Sequence, residues 1–189
     1  MQEINLDIWG QDYEEAKKER ESGDFYKLVE GSQKLRILTN FVAVDTLNRA
    51  GKYMGIVTQN NKAQEGDTVN YKGWAWAIIR ETGDLKIVQL SKTILHQIYS
   101  LKKDTEYAFD NCPMPYDITI NAIGAGTKEV KYSVTPARQN TDVTGEEMEK
   151  LNKKRKIADI VNAMIAKQEG TKMPSTPVDY PTASGEPAF

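Results

Sequence analysis

The stretch YKGWAWAIIR at positions 71–80 decides how this chain is read. An extended backbone sends successive side chains to opposite faces. As a strand, it places Lys72, Trp74, Trp76, Ile78 and Arg80 on one face and Tyr71, Gly73, Ala75, Ala77 and Ile79 on the other. Tryptophans interleaved with cations suit a single-stranded nucleic acid. Lys and Arg hold phosphates, and each unstacked base finds an aromatic platform worth about 1–3 kcal/mol. The competing reading puts both tryptophans in the core, because large aromatics are usually well buried.

Around this strand the sequence reads as short strands and turns. Downstream, Glu81-Thr82-Gly83-Asp84 is a hairpin turn, and LKIVQL (85–90) returns. Ser91 is the expected N-cap of a helix over 92–103, whose apolar stripe is Ile94, Leu95, Ile98 and Leu101. An irregular acidic and Pro-rich connection spans 104–115. Two strands follow, at 116–121 and 129–135, joined through Gly124-Ala125-Gly126-Thr127. Upstream, FYKL (25–28) leads to the strand KLRIL (34–38), which Phe41 to Val44 extends across a bend. Residues 45–68 read as loop-rich, with one short strand around 53–57.

The flanks differ in character. Residues 12–22 read as a short charged helix, preceded by an apolar arm of Ile4, Leu6, Ile8 and Trp9. From Thr144 a C-terminal helix is expected through Gln168, with Leu151, Ile157, Ile160, Val161, Met164 and Ile165 as its stripe. Its Lys153-Lys154-Arg155-Lys156 run reads as a solvated face or a nucleic-acid patch. Residues 170–189 have the composition of a disordered tail. The expected division is an acidic arm (1–22), a binding domain (23–140), a C-terminal helix (141–169) and a tail (170–189).

Charge follows the same division. The chain has 189 residues and a net charge of −2. Residues 1–22 hold three bases against seven acids, residues 23–140 fifteen against twelve, and residues 141–189 seven against eight. A mildly basic body between acidic ends is compatible with phosphate binding. One cysteine, Cys112, excludes an internal disulfide. With one histidine, His96, no zinc site of usual spacing can be assembled within the chain. No catalytic or phosphate-loop signature appears. The expectation is therefore a non-enzymatic protein without cofactor. The absence of a signal-like start and of any apolar run near 20 residues implies a cytoplasmic, non-membrane location.

Five to six antiparallel strands with one inserted helix suggest an OB-fold β-barrel, a mainly β architecture with helices. A mixed α+β sheet has the same local pattern. The segments FYKLVEGSQKLRIL (25–38), WAWAIIRETGDLKIVQLSKTILHQI (74–98), YDITI (116–120), Gly124-x-Gly126 and KYSVTP (131–136) together resemble the single-stranded DNA-binding proteins of tailed bacteriophages. The resemblance implies an OB-fold and sequence-tolerant binding of single-stranded DNA in phage replication, recombination or repair, in the host cytoplasm.

Candidate DNA-binding residues are Lys34, Arg36, Tyr53, Lys62, Lys72, Trp74, Trp76, Arg80, Lys86 and Lys131. Such proteins often close an acidic tail with an aromatic residue. Phe189 is accordingly the candidate contact to replication or recombination proteins, although Asp179 and Glu186 are the tail's only acids past Glu169. The arm and the C-terminal helix are candidates for self-association on DNA. RNA binding remains open on this reading, as does a structural or adaptor protein that buries the tryptophans and binds a partner through the C-terminal helix.

Overall fold

A computed structural model describes residues 23–127 and 129–170. The expected N-terminal arm and helix, the tail from residue 171 and Phe189 lie outside the described residues.

Strand β5 (Thr68–Ile79) organises the sheet. Its β-branched and aromatic residues favour extended backbone. Along one edge it pairs with β6 (Asp84–Ser91). Along the other it pairs first with β3 (Val42–Arg49) and then with β2 (Gly31–Ile37), which lie end to end. Beyond β2 come β7 (Ile118–Ile123) and β8 (Lys131–Pro136), while β4 (Lys52–Ile56) flanks β3. The two-residue β1 (Phe25–Tyr26) runs parallel to β6, and every other pairing is antiparallel. The result is a mixed sheet of eight strands, mainly β with helices. Among the described residues it does not close into the expected barrel.

The segment expected to be loop-rich contains much of β3 and all of β4. A tight turn at Ala50 and Gly51, both at positive φ, joins these strands. Asp84 begins β6 after the expected turn, where Gly83 has φ 72°. Helix α1 (Lys92–Lys103) has the expected bounds, although Ser91 caps it without a side-chain hydrogen bond. The expected C-terminal helix is two helices, α2 (Gly145–Asn152) and α3 (Ile157–Gln168), separated by the basic run. Thr144 and Glu147 form a reciprocal capping box at the start of α2.

The sheet is covered on both sides. Ala75, Ala77 and Ile79 join Leu35, Ile37, Ile118 and Ile120 under Ile94 and Ile98 of α1. On the opposite side Trp74, Trp76, Val44 and Ile87 pack with Ile157 and Val161 of α3. The alternation read from the sequence therefore holds, yet the face with the tryptophans is not open. The apolar stripe of the C-terminal helices lies on it.

Glycine positions the first layer. A Cβ on Gly73 would stand 2.8 and 2.9 Å from the two Leu95 methyls, so a bare backbone lets α1 approach β5 closely. At two strand edges, glutamine amides replace missing neighbours. Gln97 donates to Tyr132 O at 2.9 Å and accepts from Val134 N–H at 2.8 Å. Gln168 donates to Ile56 O at 3.0 Å and accepts from Ile56 N–H at 2.8 Å. Gly55, at φ 101°, makes room for that contact, since a Cβ there would lie 2.0 Å from Gln168 Oε1.

Candidate nucleic-acid interface

The sequence candidates fall into three groups, and the structure does not unite them. Trp74 and Trp76 are 1% and 2% exposed, which corrects the expectation of outward stacking platforms. Trp76 Nε1 donates to Arg155 O at 3.0 Å, Lys154 Nζ stands 5.2 Å from the Trp76 ring centroid, and Phe25 meets Trp74 edge-on at 5.2 Å. A base has no access to either ring in this arrangement.

The second group is consumed by internal contacts. Arg36 is buried, and its Nε donates to Asp117 Oδ1 at 2.7 Å. Its other nitrogens reach Met114 O and Thr141 O at 3.1 and 2.9 Å. Arg80 Nε also donates to Asp117 Oδ1, at 3.0 Å, while its NH1 pairs with Glu147 of α2 at 3.2 Å and its NH2 reaches Thr141 O. Asp117 has no exposure and accepts from Thr141 N–H as well. Burial pushes its pKa up, but Thr141 N–H, Arg36 and Arg80 outweigh that effect and hold it below the ordinary carboxylate value. Arg36 and Arg80 thus clasp the chain that leads from β8 to α2, instead of facing phosphate. Lys34 Nζ donates to Gln139 O and lies 3.5 Å from Asp117. Lys86 Nζ donates to Gly23 O at 2.9 Å.

The third group is at the surface but scattered. Tyr53 is exposed on β4, Lys62 in the β4–β5 connection and Lys131 on β8. Lys72 is half-buried on the side of β5 that carries the tryptophans.

An aromatic and cationic surface does exist, built from residues the sequence reading did not select. It is a groove of about 580 Å³ between α1, the start of β5, the β2–β3 bend and the 104–115 connection. Its floor includes Leu95, Ile98, Phe41, Phe109 and Cys112. Tyr71 and Tyr99 are 46% and 53% exposed at its walls. Lys92, His96 and Lys102 supply exposed basic side chains at the rim, where Asn40 and Asp110 also stand. Lys103 Nζ lies 4.5 Å from the Tyr99 ring centroid and Lys102 Nζ 5.8 Å from that of Phe109, so cations and rings already alternate. Burial pushes the Cys112 thiol pKa up, against the lowering influence of Lys102.

Its volume, apolar floor and polar rim fall within the range typical of small-ligand pockets. Two features of the sequence mark it in retrospect. Tyr71 opens the decisive stretch on the face opposite the tryptophans, and Lys92, His96, Tyr99 and Lys103 recur at spacings of four, three and four along α1. Among the described residues, no group of His, Cys, Asp or Glu is arranged to hold a metal ion, and no helix is long and apolar enough to cross a membrane.

Comparison with family models, with curated proteins and with solved structures finds no match to this chain.

Proposed function

We propose that the protein is a non-enzymatic, sequence-tolerant binder of single-stranded DNA that coats and protects exposed strands in phage replication, recombination or repair. One observation carries this reading: the groove combines the exposed rings of Tyr71 and Tyr99 for stacking with Lys92 and Lys102 for phosphate, over an apolar floor. Duplex DNA keeps its bases stacked and cannot offer them to Tyr71 and Tyr99. The resemblance to tailed-phage proteins supports the same reading. So does a helix inserted between the β5–β6 hairpin and the β7–β8 hairpin, which is compatible with an OB-like relationship.

The test is anisotropy of a labelled mixed-sequence single strand, titrated with protein at two salt concentrations beside a duplex of equal length. Binding that weakens steeply with salt and prefers the single strand is expected. Cys112 supplies the location, because a strand in the groove should shield its thiol from alkylation. Failure to bind at low salt overturns the proposal. Binding without protection of Cys112 moves the site elsewhere.

The adaptor reading is favoured by one finding, the burial of Trp74 and Trp76. It requires the protein to ignore oligonucleotides and to retain a protein partner, so the same titration separates the two.

A further inference from the structure

Asp110 is out of keeping with a groove for a polyanion. Among the described residues its carboxylate has no hydrogen-bond or ion-pair partner, and the nearby Lys102 Nζ donates to its main-chain oxygen at 2.7 Å instead. An unpaired carboxylate beside a phosphate backbone repels it. The same group becomes useful if it faces the edge of a base, because a carboxylate accepts hydrogen bonds only. In a single strand the Watson–Crick edges are open to such contacts.

We propose that the groove favours bases that carry an amino group, and that Asp110 sets this preference; the proposal rests on the single-strand reading above. Guanine presents two adjacent N–H donors on its Watson–Crick edge, which match the two oxygens of a carboxylate. Cytosine and adenine each present an exocyclic amine. Thymine offers one N–H flanked by two carbonyl oxygens, so a carboxylate that accepts it meets repulsion on both sides. Asn40, at the same rim, carries both a donor and an acceptor and serves either kind of edge without discriminating. The preference overlays the sequence-tolerant stacking and phosphate contacts, which every base shares.

The decisive comparison is oligo-dC against oligo-dT of equal length, because two pyrimidines differ little in ring size. Titrations of the full chain should show dC bound about fivefold tighter than dT, the lower end of what one good base contact provides. Asp110→Asn adds a donor without changing shape and should bring the two affinities within about twofold, mainly by strengthening dT. Asp110 is exposed, so unchanged thermal unfolding is expected alongside. Equal affinities in the wild type, or a dC preference that survives Asp110→Asn, overturn the base preference and leave the single-strand reading standing. No binding of either oligonucleotide at low salt overturns that reading itself, and the preference with it.

Discussion

Tyr71 and Trp74 are three residues apart on one strand, yet they belong to two different kinds of surface. Beyond Trp74 the face carrying it lies under α3, and its rings are core. Tyr71 lies on the α1 side of the sheet, and its ring stays in water at the wall of the groove. What separates an exposed ring from a core aromatic here is not ring type or neighbouring charge. It is whether another element of the chain covers that position.

The largest effect should come from the covered side. Trp76→Ala empties a core position and should cost about 3–5 kcal/mol in urea unfolding, with single-strand affinity of the folded protein unchanged. A loss of affinity larger than the loss of stability would break the comparison.

Next comes the clasp that holds the path to α2. Asp117→Ala leaves Arg36 and Arg80 without their shared carboxylate, and breaking such buried pairs costs about 3–5 kcal/mol. Acid should weaken the same contact in the wild type. The pKa of Asp117 is lowered in the folded state, so its stabilisation is present above the ordinary carboxylate value and is lost as pH falls through the folded value. Asp67, held at about 2 chiefly by its hydrogen bond to Arg49, adds a contribution lost in the same direction. Unfolding curves from pH 6 to pH 2, with acrylamide quenching of tryptophan, would show whether the covered rings become accessible as this happens.

On the open side, Tyr71→Ala and Tyr99→Ala should each remove about 1–3 kcal/mol of single-strand affinity by anisotropy, with little change in stability. Equal losses of stability would show that the groove rings are core after all. The smallest effect is electrostatic. Lys102→Ala should lower the slope of log affinity against log salt by about 1, while Lys131→Ala, on β8 and outside the groove, should leave the slope unchanged.

Local signals made much of the fold legible. The bounds of α1 follow from its apolar stripe, and the division of β5 into two faces follows from alternation. Strand β3 was hidden because its DTLNR segment (45–49) lacks clean alternation and ends in an Ala-Gly turn instead of a stronger hairpin signal. The site was harder to read, since a strand's two faces look equally available until the rest of the chain is folded. The residues that cover Trp76 are some 80 positions away, as in its bond to Arg155 (|i−j| 79). Likewise Arg36 and Arg80 resemble phosphate ligands until Asp117 is brought between them.

Gln97 and Gln168 bear on how such molecules behave as neighbours. Copies of any protein held at high local concentration meet edge to edge. Open sheet edges under those conditions are templates for irreversible stacking of strand upon strand. Each glutamine occupies an acceptor and a donor that an adjoining molecule would otherwise need, through two ordinary hydrogen bonds. Copies of the chain brought close together then find these backbone groups already paired, and no strand can add at these positions without first displacing a glutamine.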